Sequence, residues 1–324
     1  MEKPYQMLLF DGAAHKILHV HGLNGTFIAE TPYPPDIEPL DAVLLNKSIV
    51  YILAINETTG ENIIFQYLAT EKNLSPQKKL HPLPIPDISP LQIAGDEQAS
   101  QLMIACKDGS LYIWYNHALR LFGRPQQNAV CVGIQIAGDS IYTIWEQEQG
   151  GIIALFNRQG QLLSEKFIPG IPTQLQLTNE ALLLVSYTST QWTGEGLALL
   201  ETTNSTLNLV KVIPFNCPLQ PIKTYPATIT MSPTENTAYV IHEDGGFISK
   251  INLTTKKLDA TWLIGHSISS LHFLPDNRFA IGPSQKFADL TLIDMTLGEP
   301  VSITNSPERT LLGLLLILPT PVPK

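Results

Sequence analysis

Short runs rich in Ile, Val, Leu, Tyr and Thr recur along the whole chain, cut every few residues by Gly, Asp, Asn or Pro. Leu102-Met103-Ile104-Ala105, Ile141-Tyr142-Thr143-Ile144-Trp145 and Ala238-Tyr239-Val240-Ile241 are examples. β-Branched and aromatic residues bounded by turn formers predict strands joined by hairpins. Long apolar patterns at helical spacing are nearly absent, so the chain is expected to be all-β.

The runs repeat. Gln92-Ile93-Ala94-Gly95-Asp96 returns as Gln135-Ile136-Ala137-Gly138-Asp139, 43 residues later. Gln135-Ile136 corresponds to Gln176-Leu177 at a spacing of 41, and Met231-Ser232-Pro233 to Phe273-Leu274-Pro275 at 42. A period of about 40–45 residues with four strands per repeat predicts the blades of a β-propeller. Blades two to seven are expected at about 39–81, 89–124, 128–169, 171–221, 223–265 and 266–305. Blade five is the longest and carries an insertion around Thr190-Gln191-Trp192-Thr193-Gly194. The segment from Gln6 to Gly12 matches a second strand, Gln101 to Gly109, so the chain enters blade one a strand late. The apolar run Thr310 to Leu318 is expected to supply the missing innermost strand, making blade one from 5–34 plus 310–318. Such closure removes the open edges of a linear array. The expectation is one domain: a seven-bladed propeller of four-stranded antiparallel blades.

Three blades carry motifs. Blade seven reads Gly265-His266-Ser267, Phe273-Leu274-Pro275-Asp276 and Asp289-Leu290-Thr291-Leu292-Ile293-Asp294. It resembles a degenerate WD40 repeat, as does Asp108-Gly109-Ser110-Leu111-Tyr112-Ile113-Trp114 in blade three. Blade six, with Ile229-Thr230-Met231-Ser232-Pro233 and Thr237-Ala238-Tyr239-Val240, is similar to the YVTN-type repeat. The resemblance implies a rigid circular platform, usually a binding module. Some YVTN-like relatives resemble lactonases or redox enzymes, and fold alone does not choose between them.

Composition narrows the partners. The 324 residues are 44% hydrophobic and 15% charged, with a net charge of −9 and no basic run. Nothing there favours nucleic acid or an anionic membrane. Cys106, Cys131 and Cys217 are far apart in sequence and read as small apolar residues. The start, Met1-Glu2-Lys3-Pro4-Tyr5, lacks the features of a secretory signal. The apolar run Leu311 to Leu318 is too short to span a bilayer as a helix. A cytoplasmic protein without membrane insertion, cofactor or metal is expected.

Candidate chemistry is sparse. His15, His19 and His21 fall near one strand, where an exposed face is expected. His242 precedes Glu243-Asp244 in a hairpin and reads as part of a solvated turn. No nucleophile elbow, zinc motif or phosphate loop occurs, and no catalytic residue is assigned. The loops joining second and third strands each carry an acid: Asp11, Glu57, Asp108, Glu146, Glu195, Glu243 with Asp244, and Asp289. They predict an acidic ring on one face, edged by prolines, with Trp192 as an aromatic anchor. The expected function is therefore non-catalytic. A monomeric scaffold would bind a protein with a basic surface on that face. The alternative is a lactonase-like propeller hydrolase with its active site at the central funnel. That alternative requires a His or Arg with two carboxylates around one deep axial pocket.

Overall fold

The computed structural model describes residues 6–11, 14–21, 26–46, 48–69, 74–82, 88–96, 101–116, 118–123, 129–148, 150–168, 170–188, 194–203, 205–215, 224–274, 276–284, 286–287, 289–305 and 311–318. For residues 6, 20–21, 26–28, 74–82, 304–305 and 311–318 it describes the backbone alone. The regular structure among these residues is all β, in seven four-stranded antiparallel sheets. Among the described residues, no helix is long and apolar enough to cross a membrane.

Blade one holds β1 (Gln6–Asp11), β2 (Lys16–His21) and β3 (Thr26–Pro32). Blade two holds β4 (Ile37–Leu45), β5 (Ile49–Asn56), β6 (Asn62–Ala69) and β7 (Leu74–Pro82). Blade three holds β8 (Pro90–Asp96), β9 (Gln101–Cys106), β10 (Leu111–Tyr115) and β11 (Ala118–Gly123). Blade four holds β12 (Val130–Ala137), β13 (Ser140–Gln147), β14 (Gly150–Asn157) and β15 (Leu162–Ile168). Blade five holds β16 (Ile171–Leu177), β17 (Leu182–Thr188), β18 (Gly196–Thr202) and β19 (Leu207–Pro214). Blade six holds β20 (Pro226–Met231), β21 (Thr237–His242), β22 (Phe247–Asn252) and β23 (Lys257–Leu263). Blade seven holds β24 (His272–Phe273), β25 (Phe279–Ser284), β26 (Asp289–Asp294) and β27 (Glu299–Asn305). The last strand, β28 (Leu311–Leu318), pairs antiparallel with β1 and gives the first sheet the order β28-β1-β2-β3.

Burial changes along each blade. Second strands such as β17 and β21 are buried at every residue, because neighbouring blades cover both their faces. Outer strands such as β15 and β19 are mostly exposed. Alternate side chains of one strand serve opposite neighbours, as the two-residue period dictates. In β9, Met103 and Ala105 pack towards blade four, whereas Leu102, Ile104 and Cys106 pack towards blade two. Each junction between neighbouring blades thus has its own apolar cluster among the described residues. Met7, Leu9 and Leu18 meet Leu274 and Ile281 where blade one joins blade seven.

The inner strands share a distortion. Their register with the second strand shifts at Pro39/Asp41, Pro90/Gln92, Cys131/Gly133, Pro172/Gln174 and Pro226/Thr228. Each shift marks a β-bulge with one extra residue: Leu40, Leu91, Val132, Thr173 or Ala227. Proline precedes four of the five. It has no N–H to give a ladder, so it is tolerated at strand starts and bulges.

Candidate active site

The inner strand of a propeller blade pairs along one edge only. Its other edge faces the central channel, and the backbone groups there need partners. Side chains from the inner strand of the preceding blade supply several. Asp41 Oδ2 accepts the Ile93 N–H at 2.9 Å, and Gln135 Oε1 accepts the Leu177 N–H at 2.6 Å. Thr228 Oγ1 donates to the Ser269 carbonyl at 2.7 Å and Thr230 Oγ1 to the Leu271 carbonyl at 2.8 Å. The Thr173 hydroxyl donates to the Pro226 carbonyl.

The bulges decide which residues take this position. The first residue after the extra one is Asp41, Gln92, Gln174 or Thr228, and each is partly exposed. Their following neighbours Ile93, Leu175 and Ile229 turn the other way and are buried between blades. Blade four has Gly133 there, because the Leu175 and Ile144 side chains occupy the space a Cβ would need.

Asp41 stands out electrostatically. Burial pushes its carboxyl up to about 6, against the backbone N–H groups of Ile93 and Ala42, which pull it down. Ala42 N–H donates to Oδ1 at 2.8 Å, so each oxygen holds one N–H and keeps a lone pair free. A carboxyl titrating near 6 can take a proton and return it near neutral pH. On the other side of blade one, blade seven presents His272, whose Nε2 lies 2.9 Å from Ser270 Oγ. Burial lowers the His272 imidazole to about 4, so it is neutral at pH 7. At the rim, Ser269 Oγ donates to Glu243 Oε1 at 2.7 Å. Gln92 Oε1 has no partner among the described residues.

The acids singled out from sequence all lie at the connections between second and third strands, and most are engaged locally. Asp11 ends β1, is buried, and accepts the Ala14 N–H at 3.0 Å. Asp108 is exposed and accepts the N–H and hydroxyl of Ser110 at 3.0 and 2.8 Å, across a turn whose Gly109 has φ of 78°. Glu195 accepts the Thr188 hydroxyl at 2.9 Å and the N–H and hydroxyl of Thr224. Asp289 starts β26, is buried, and lies 2.8 Å from His266 Nε2. Glu57 and Asp244 are exposed, and Glu146 is partly exposed near the end of β13. The phenol of Tyr225 is raised first by burial and then by the charges of Glu243, Glu146 and Asp244. Trp192 and Cys217 lie outside the described residues.

Two histidine expectations need correction. His242 is not in a solvated turn; it ends β21 with no exposed surface. Its ring stacks on Phe247 at 4.1 Å, Nδ1 lies 2.8 Å from Thr224 Oγ1, and Nε2 lies 2.9 Å from Ser249 Oγ. Neighbouring blades cover both faces of β21 up to its last residue. His19, in the third strand β2 of blade one, is 1% exposed and not part of an open face. His15 sits in the turn before β2, edge-on to Tyr33 at 5.7 Å. Among the described residues, no group of three or more His, Cys, Asp or Glu could hold a metal ion.

Asp41 and His272 were missed because charge was sought in loops. A signal was present: Pro39-Leu40-Asp41, Pro90-Leu91-Gln92, Pro172-Thr173-Gln174 and Pro226-Ala227-Thr228 repeat a proline, one residue and a polar side chain.

No protein-family model matches the chain, and no curated protein matches its sequence. Solved structures do. A protein from Lactobacillus plantarum superposes with a TM-score of 0.71 at 14% identity, over 98% of this chain and 100% of that one. A putative 6-phosphogluconolactonase from Bacteroides uniformis gives 0.70 at 12%, over 98% and 100%. The dihydro-heme d1 dehydrogenase NirN gives 0.61 at 12%, over 94% of this chain and 74% of that one. These likenesses carry the seven-bladed propeller fold. They also correct the expected function. The named neighbours include propeller enzymes, which tells against the expectation of a non-catalytic scaffold.

Proposed function

We propose that the chain is a lactonase-like propeller hydrolase acting at the mouth of its central channel. The observation that carries this reading is the carboxyl of Asp41, held on the channel wall by two backbone N–H groups with a pKa of about 6. In this reading Asp41 is the general base. It takes a proton from water as the water oxygen attacks the lactone carbonyl carbon. The ring C–O bond then breaks, and the leaving oxygen recovers that proton. Asp41 returns to its carboxylate form. The neutral His272 and Ser270 pair offers a hydrogen-bond donor without a competing charge.

The bond between His266 and Asp289 supports kinship with WD40-type repeats, whose Gly-His pair matches Gly265-His266. The free, buried thiols of Cys106 and Cys131 suit a reducing compartment such as the cytoplasm.

The test is Asp41→Asn, assayed by pH-stat against a panel of five- and six-membered sugar lactones. The wild type should hydrolyse at least one, with activity rising through about pH 6 as the base ionises. The variant should lose roughly 10²–10⁴-fold in kcat with little change in KM. Wild-type hydrolysis no faster than buffer, or full activity in a folded variant, overturns the reading.

A further inference from the structure

A cavity of about 550 Å³ opens between blades two and three. It is bounded by the start of β4, the turns after β5 and β9, and the residues leading into β8. Its size falls in the range of small-molecule sites. Three observations define what it would hold.

The first is charge. Glu38 and Lys107 both line the cavity. Both are exposed, and neither forms an ion pair among the described residues. A cavity with one free carboxylate and one free ammonium complements a zwitterion.

The second is an amide oxygen. Register sets Glu38 opposite Ile55 and Ile55 opposite Asn62, so the three project from the same face of blade two. Asn62 is 4% exposed, and its Nδ2 donates to the Ile88 carbonyl at 2.8 Å. That bond fixes which end of the amide is which. The Oδ1 end has no partner among the described residues. A buried acceptor left unsatisfied costs about 1–3 kcal/mol, so a bound N–H would be favourable.

The third is the wall. Leu40, Ile55, Ile88, Pro90 and Leu91 make the remaining surface largely apolar. The bulge at Leu40 and the one at Leu91 place two of these side chains here.

We propose that this cavity binds a short apolar peptide with both termini free, about the size of a dipeptide. Glu38 takes the terminal ammonium, Lys107 takes the terminal carboxylate, and Asn62 Oδ1 takes a peptide N–H. A single amino acid offers both charges but no peptide N–H, and fills less of the volume. This site does not depend on the role of Asp41.

Isothermal titration of the full chain with leucyl-leucine tests it. Saturable one-to-one binding is expected. N-acetyl-leucyl-leucine and leucyl-leucinamide should each bind about tenfold more weakly, since each removes one charged contact worth on the order of 1.4 kcal/mol. Glu38→Gln should weaken leucyl-leucine by a similar factor while leaving the acetylated peptide unaffected. Lys107→Met should do the same for the free and amidated peptides. Both residues are exposed, and unchanged thermal melts would show that the variants fold. No saturable heat with leucyl-leucine, equal affinity for the blocked peptides, or variants that bind as the wild type does would each overturn the proposal.

Discussion

Arg158 clamps the carboxylate of Asp96 across the boundary between blades three and four. Its Nη2 lies 3.1 Å from Asp96 Oδ1, and its Nη1 binds Oδ2. The same guanidinium reaches the Gly138 carbonyl at 2.8 Å and Asp139 Oδ1 at 3.1 Å. Asp96 and Asp139 end the two copies of the repeated Gln-Ile-Ala-Gly-Asp segment. One copy is buried and the other exposed, so one repeated residue plays two structural parts. Removing the cation should therefore leave a buried carboxylate with poor compensation. Arg158→Ala is expected to cost about 3 kcal/mol in urea denaturation. Asp139→Ala should cost well under about 1 kcal/mol, because its carboxylate is in water. Equal costs for the two variants would contradict the clamp.

Acid stability should depend on His242. Burial lowers its imidazole from 6.5 to about 3, so the folded state requires the neutral form. That contribution is complete above pH 6.5 and is lost as pH falls towards 3. His272, lowered to about 4, acts in the same sense. Asp41 acts oppositely: its raised pKa stabilises the protonated form below about 4, and the gain disappears as pH rises through 6. Urea melts from about pH 7 to about pH 4.5 should show His242→Gln to be less stable at neutral pH but less sensitive to acid. A variant that keeps the wild-type slope would count against this account.

Strand β28 should matter to the whole ring. It pairs with β1 from Gln6↔Leu318 to Asp11↔Leu311 and lies on the inner side of that sheet. A chain ending at Asn305 leaves the channel-side edge of β1 without a partner. Its thermal transition is expected to fall well below that of the full chain and to broaden. A truncated chain with an unchanged transition would show that the strand is dispensable.

The period-two runs and the spacing of about 43 residues were enough to read an all-β chain of seven repeats. Those features are local, since alternation and turn chemistry act within a single hairpin. The acids between second and third strands could also be placed, because hairpin order follows chain order. What each does could not. Asp289 and Glu195 are engaged by His266 and Thr224, 23 and 29 residues away in the chain.

The amino-acid sequence by itself determined the strands, the repeat and the turns. Only the tertiary structure decided which polar side chains face the channel and which charges stay free. Asp41 owes its position to a bulge that shifts the two-residue alternation by one. Its raised pKa comes from burial in a fold whose inner strands converge. The cavity beside it exists because Glu38 and Asn62 of one blade face Lys107 of the next. Such juxtapositions follow from how blades pack, and packing joins residues that no local pattern connects.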